Sequence, residues 1–228
     1  MIITIDGPSG SGKSTVSRLI AERLGIQYLD TGAMYRASAL QAVRKGIDFG
    51  NGPGLFNMCL ELDLHFMPCG NSQKILLGNE DITSEIRSPE MDMMASEISA
   101  VKEVREAMTT LQRKIGMTGG LVAEGRDMGT VVFPDADYKF FVTASIPERA
   151  QRRYMERLGR GESISRDKVE EELKRRDEQD MGRSIAPLRP AADADIIDTT
   201  GIDIEQVIET IVKKIGISAE SGKPCKED

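Results

Sequence analysis

Apolar residues along this chain fall into two kinds of run, and the two kinds alternate. Ile2, Ile3, Thr4 and Ile5 make a β-branched stretch closed by Asp6, which predicts a buried strand. Val16, Leu19, Ile20 and Leu24 then recur at helical spacing. Residues 26–30 read as a short strand, and a helix runs from about Thr31, a candidate N-cap, to about Lys45. From Gly46 the pattern changes. Residues 48–54 carry the Gly, Pro and Asn of a loop, and 62–67 and 74–77 alternate as two strands joined by a turn around residues 69–71. Residues 79–89 lead into a helix from about Glu90, so 46–100 reads as a small antiparallel insertion.

The alternation then resumes. A helix is expected over 101–115, a buried strand at 121–123, and another strand at 138–142. Pro147 suits the first turn of a following helix, which Gly159–Gly161 interrupts before a strongly charged helix over 167–180. A last strand at 194–198 and a last helix over 204–215 complete the pattern, and the tail 218–228 is expected to be disordered. Strands alternating with helices predict an α/β fold: a parallel sheet covered by helices on both faces. The 228 residues suffice for one such domain, spanning 1–217.

Between the first strand and the first helix lie Gly7, Pro8, Ser9, Gly10, Ser11, Gly12, Lys13 and Ser14, followed by Thr15. They fill the pattern G-x-x-x-x-G-K-[ST] in the strand–turn–helix setting that gives it meaning. The glycines let the backbone turn tightly and approach phosphate oxygens, while the helix start directs N–H groups and its positive dipole end at them. Lys13 is placed to reach the outer phosphates and the Ser14 hydroxyl to hold Mg²⁺. The expectation is a nucleoside triphosphate site.

Composition narrows the remaining classes. The net charge of −7 argues against bulk attraction to nucleic acid or an anionic membrane. No apolar run has the length of a membrane span and no signal-type segment opens the chain, so a cytoplasmic location is expected. Three cysteines without C-x-x-C spacing read as reduced thiols, and the single histidine, His65, is too little for a histidine-based triad or metal cluster. The twelve methionines form no stripe and read as core filler.

Arginines crowd the stretch 149–189, most of them beside acidic residues as on a solvated helical face. Arg153, Arg157 and Arg160, however, flank the Gly159–Gly161 break. Phosphoryl transfer needs movable positive charge and exclusion of water, and these three suit a lid over about 153–165 that closes on ATP.

Four segments together resemble the bacterial cytidylate kinases: the loop 7–15, Leu29-Asp30-Thr31-Gly32-Ala33-Met34-Tyr35-Arg36, the stretch from Glu124 through Gly125-Arg126-Asp127-Met128-Gly129-Thr130 to Ala136, and Arg176-Asp177-x-x-Asp180-x-x-Arg183-x-x-Ala186-Pro187-Leu188. The resemblance runs from residue 2 to about 215. It implies an ATP-dependent phosphotransferase acting on CMP or dCMP with Mg²⁺, and makes 46–100 the NMP-binding insertion. It also implies that Arg36, Arg126 and Arg183 surround the CMP phosphate, with Thr31 beside them. Arg176 and Asp180 would contact the ribose hydroxyls, and Ser96, Arg105 and Asp127 would read cytosine. Lys13, Arg126, Arg157 and Arg183 would act on the transferring group. A carboxylate at 127 accepts from the 4-amino group of cytosine, where uracil has an oxo group. No role is assigned to Glu124. Family members of this kind tend to be monomers. Two other readings share the glycine-rich loop: a kinase for uridylate or shikimate, and a nucleotide switch, for which Asp198-Thr199-Thr200-Gly201 matches D-x-x-G but has no N-K-x-D after it.

Overall fold

The computed structural model describes residues 1–69 and 72–216. Five strands form a parallel sheet in the order β2-β6-β1-β7-β8: β1 (Ile2–Asp6), β2 (Gln27–Asp30), β6 (Leu121–Gly125), β7 (Tyr138–Thr143) and β8 (Asp195–Asp198). Strand β1 lies in the middle, with Asp6 level with Gly125 of β6 on one side and Phe141 of β7 on the other. On the far side of β6, Asp30 is level with Glu124. The register thus brings Asp6, Asp30 and Glu124 to one carboxyl edge of the sheet, where ligands bind in open α/β folds.

Successive residues of a strand point to opposite faces, and β6 shows the consequence. Leu121 and Ala123 join a core with helices α2 (Thr31–Arg44), α3 (Gly52–Leu60) and α5 (Lys102–Gly116). Val122 joins the other core, with α1 (Lys13–Leu24) and α8 (Ile204–Ile215). Both faces are covered by helices, as the alternation of elements predicts. The two central strands β1 and β6 are almost wholly buried and carry near-continuous apolar runs, whereas edge strand β8 leaves Ile196 exposed.

The remaining elements stand over that edge. Strands β3 (Leu64–Cys69), β4 (Ser72–Leu77) and β5 (Glu80–Asp81) form a small antiparallel sheet. Ile75 and Ile82 pack with Ala33, Ala37 and Leu40 of α2 and with Met91 of α4 (Pro89–Ile98). On the other side, α6 (Ile146–Gly159) and α7 (Arg166–Gly182) form a hairpin whose own core is small: Ala150, Val169 and Leu173.

Three local expectations need correction. Asp30, not Thr31, caps α2, its Oδ1 accepting from Ala33 N at 2.8 Å; Thr31 is the first helical residue. The expected loop at 48–54 gives way at Gly52 to α3. Asn51 caps this helix through Gly54 N at 3.1 Å, Pro53 presets its first turn, and Leu55, Met58 and Cys59 are buried. Within the lead into helix expected at residues 79–81, Glu80–Asp81 form a short strand. Part of the turn expected around residues 69–71 and the tail 218–228, with Cys225, lie outside the described residues.

Candidate active site

A cavity of about 590 Å³ opens over the carboxyl edge of the main sheet. Its floor is the loop between β1 and α1. Gly7 has φ +154°, and a Cβ there would lie 2.0 Å from the carbonyl oxygen of Val142, so no other residue fits without moving β7. Gly12, at φ +89°, precedes α1 with no side chain capping the helix, which leaves the first N–H groups of α1 unpaired by side chains and facing the cavity. Ser9, Gly10, Gly12, Lys13, Ser14 and Thr15 line the cavity. Gly7, Pro8 and Ser11 stand behind this lining and shape the turn.

Lys13 is buried, and among the described residues its Nζ donates only to the Pro8 carbonyl, at 3.4 Å. Burial, reinforced by the Arg126 charge, pushes its pKa down to about 7. An ammonium held this far from water and beside like charge gains most when an anion arrives.

The opposite wall gathers the residues assigned to the acceptor. Thr31, Arg36, Ser96, Arg105, Arg126, Asp127, Arg176, Asp180 and Arg183 all line the same cavity, although they come from positions 31 to 183. Thr31 Oγ1 donates to the Glu124 carbonyl at 2.6 Å, tying α2 to β6. Arg36 Nη2 donates to Asp30 Oδ2 at 3.1 Å. Asp180 accepts from Arg126 Nε at 2.8 Å and from Arg183 Nη2 at 2.5 Å. Burial alone would raise the Asp180 carboxyl, but Arg126, Arg183 and Arg176 outweigh it and hold it below its usual range. The Arg176 guanidinium moves the other way: burial and the neighbouring Arg126 lower its pKa to about 10.

At the deep end, Arg105 and Asp127 form a direct ion pair and are 5% and 2% exposed. Arg105 Nη1 also donates to the Ser99 carbonyl at 3.0 Å, and its guanidinium lies 5.6 Å from the centre of the Tyr35 ring. Ser96 Oγ donates to Gln179 Oε1 at 3.4 Å. A buried acceptor, a fixed fork of donors and a hydroxyl at one spot have the chemistry to read a heterocycle edge.

Of the three arginines assigned to a lid, two line the cavity, Arg153 and Arg160, together with Arg152. Arg157 does not. Its Nε donates to Glu162 and its Nη1 to Glu172, both at 2.6 Å, so it fastens α6 to the turn and to α7. In this arrangement Arg157 thus stands outside the cavity lining, within the hairpin's own framework. Arg153 and Arg157 lie one helical turn apart on α6, but the acids that hold Arg157, Glu162 and Glu172, lie later in the chain.

Several residues of the site were not singled out by sequence. Arg149 is buried and holds three partners: Ala144 O at 3.0 Å, Ser9 O at 3.1 Å and Asp177 Oδ2 at 2.7 Å. It welds α6 and α7 to the glycine-rich loop. Arg152 donates to the Thr199 carbonyl at 2.7 Å, and Thr199 Oγ1 donates to the Ser11 carbonyl at 3.1 Å. The D-x-x-G match at 198–201 is thus a turn that braces the loop, with Asp198 Oδ1 accepting from Thr200 N at 2.9 Å. Asp6 accepts from Met128 N at 2.9 Å and Gly129 N at 2.8 Å; burial dominates these bonds and raises its carboxyl to about 7. An acid ending a β-branched strand just before a phosphate loop was the available signal. His65 sits apart, at the surface, 2.8 Å from Asp63 Oδ1.

Glu124 is fully enclosed. Its Oε1 accepts from Tyr28 OH at 2.7 Å, while its buried Oε2 makes no hydrogen bond of ordinary geometry among the described residues, and the carboxylate lies close to the Ser14 side chain. Burial and the Asp30 charge raise its carboxyl. Mg²⁺ takes hard oxygen donors and keeps several waters. This Glu124 oxygen and the exposed Ser14 hydroxyl on the same cavity fit such an ion.

The sequence profile of the cytidylate kinases matches residues 3–216. A cytidylate kinase of Geobacter sulfurreducens is 48% identical over 217 residues, covering 94% of this chain and 93% of that protein. One from Pseudomonas fluorescens is 44% identical over 223 residues, covering 97% of each. Among solved structures, an uncharacterised protein from Eubacterium ventriosum superposes with a TM-score of 0.53 at 14% identity, over 95% of this chain and 98% of that one, and shares the fold. The match over nearly the whole chain, together with the cavity that gathers its motifs, establishes that the chain belongs to the cytidylate kinase family.

Proposed function

We propose that the chain transfers the γ-phosphoryl group of ATP to CMP or dCMP, giving ADP and CDP or dCDP. The observation that carries this reading is the single cavity lined on one side by the glycine-rich loop and on the other by the buried Arg105–Asp127 pair. A triphosphate on Lys13 and the α1 N-terminus then faces a monophosphate among Arg36, Arg126 and Arg183.

The attacking atom is a phosphate oxygen that is already anionic, so no general base is needed and the work is alignment and charge neutralisation. Lys13 supplies charge to the outer phosphates of the donor. Arg126 links the two sides of the cavity, since its charge acts on Lys13 and its guanidinium is paired to Asp180. Arg176 and Asp180 orient the ribose. Asp127 accepts from the cytosine 4-amino group while Arg105 and Ser96 satisfy the rest of the base edge. With uracil, the carboxylate meets an oxo group and is left unpaired in a buried site, which is how the base is rejected. Ser14 and Glu124 would hold Mg²⁺, which supplies neutralisation of the polyphosphate charge when bound.

In this reading 46–100 is the NMP-binding part and about 153–165 the lid of a single unit over 1–217. Arg153 and Arg160 swing over ATP when the lid closes, and closure keeps water from the γ-phosphate. The chain acts as a cytoplasmic monomer on small molecules alone. No helix among the described residues is long and apolar enough to cross a membrane.

The test is ADP release from ATP and Mg²⁺ with CMP, dCMP, UMP, AMP, GMP or shikimate as acceptor. Turnover confined to CMP and dCMP is the expected result. Turnover of UMP or shikimate instead, or ADP release indifferent to acceptor, defeats the proposal.

A further inference from the structure

Asp92 lies in the first turn of α4, below the cap that Ser88 provides. Its side chain is 16% exposed, and three guanidinium groups from three other helices converge on it. Arg36 Nη1 of α2 stands 3.7 Å from Oδ1, Arg176 Nη1 of α7 stands 3.8 Å from the same oxygen, and Arg153 Nη2 of α6 directly contacts Oδ2. Burial works against its charge, but Arg176, Arg153 and Arg36 prevail and hold the carboxyl below its ordinary range. A small anion gripped by several arginine forks is the charge arrangement of a bound phosphate. Nothing in the transfer requires a carboxylate at this point, and its charge opposes the arrival of a phosphoryl group.

We propose that Asp92 is an internal stand-in for substrate phosphate. It gathers Arg36, Arg153 and Arg176 while no nucleotide is bound, and yields them when the nucleotides enter. This rests on reading the cavity as a CMP site. Two consequences follow. The incoming acceptor competes with Asp92 for two arginines, its phosphate for Arg36 and its ribose for Arg176, so the carboxylate weakens substrate binding. The same carboxylate keeps Arg153 on α4, away from the glycine-rich loop, until the acceptor phosphate displaces it. A lid arginine is thereby freed by acceptor binding, which couples lid closure on ATP to the presence of CMP and restrains transfer to water. Asp92 is thus a positioning residue acting through Arg153.

The experiment compares the full chain with Asp92→Asn and Asp92→Glu by calorimetric titration with CMP and with inorganic pyrophosphate, and measures ATP hydrolysis without acceptor. Asp92→Asn is expected to bind both ligands roughly tenfold tighter, since a like charge beside the incoming anion has gone. Its KM for CMP should fall with its Kd, and its acceptor-free ATP hydrolysis should rise several-fold. Asp92→Glu, which keeps the charge, should stay near the unaltered protein in all three. If Asp92→Asn folds poorly, Asp92→Ser is the second neutral variant and carries the same expectations. Weaker CMP binding by the neutral variants would make Asp92 a scaffold for the arginines and overturn the proposal. Equal binding and equal hydrolysis across the series would also overturn it. If the unaltered protein neither binds nor phosphorylates CMP, the reading of the cavity fails first, and the stand-in falls with it.

Discussion

Arg126 Nε and Asp180 Oδ2 lie 2.8 Å apart, joining the loop after β6 to the last turn of α7 across 54 residues of sequence. Asp180 is 1% exposed and also accepts from Arg183, so one carboxylate fixes two of the arginines proposed to hold the acceptor phosphate. Removing one member of a buried ion pair leaves the other uncompensated, at a cost of about 3–5 kcal/mol. Asp180→Ala should therefore lower the unfolding free energy by about 3 kcal/mol, and lower kcat about a hundredfold as Arg126 and Arg183 lose their orientation. Denaturant titration and steady-state kinetics on one preparation check both; a stable variant with full turnover would remove Asp180 from the site.

Base discrimination should reside in Asp127. Asp127→Asn keeps the shape but replaces an acceptor-only group by an amide that can donate to the uracil 4-oxo group. The ratio of kcat/KM for CMP over UMP is expected to fall by at least about tenfold. ATP affinity should change little. Equal loss with both acceptors, leaving their ratio intact, would assign Asp127 to the framework through its Arg105 pair.

Lys13 should take up a proton when ATP binds. With its pKa held near 7 by burial and Arg126, much of it is neutral at pH 8, and a polyphosphate alongside raises the pKa again. ATP binding at pH 8 should then consume a substantial fraction of a proton, up to about one. Affinity should weaken as pH rises above about 7. Calorimetry in two buffers of different ionisation enthalpy measures the uptake, and Lys13→Gln should abolish it. Identical heats in both buffers for the unaltered protein would contradict the expectation.

Asp6 should make the protein less stable as pH rises toward neutrality. Its carboxyl titrates near 7 in the fold, against an ordinary value of 3.8. Between those values the folded chain holds a proton that the unfolded chain has released. Unfolding free energy therefore falls as pH rises through that window and levels off above it. Asp6→Asn removes this contribution while losing one of two backbone hydrogen bonds, so it should be the less stable protein at pH 5 and regain about 1–3 kcal/mol relative to the original by pH 8. Urea titrations at the two pH values test this; parallel profiles would refute it.

How far the sequence could be read varies with the range of the interaction. The glycine-rich loop was legible because everything it needs is local: a β-branched strand, glycines at set spacing, and an apolar helical face within 24 residues. The strand 121–123 was legible from its apolar run, and its division between two cores followed from the pleat. Helix α3 was missed because Gly52, Pro53 and Gly54 outweigh propensity locally, while the energy that forms the helix comes from burying Leu55, Met58 and Cys59. The motifs at 29–36, 124–136 and 176–188 named the acceptor-site residues only through resemblance to a family.

The sequence by itself determined the glycine-rich loop between strand and helix, the alternation that builds a parallel sheet, and which residues are candidates for the site, since each rests on short-range geometry or on a recognisable motif. Only the tertiary structure decided which arginine meets which acid. Arg153 pairs with Asp92 at a separation of 61 residues, Arg149 with Asp177 at 28, and Arg157 with Glu172 at 15. Those choices separate cavity arginines from framework arginines. Along a helix rich in both charges many pairings cost nearly the same, and the choice among them is made by burial, which exists only once the sheet, the insertion and the α6–α7 hairpin have come together.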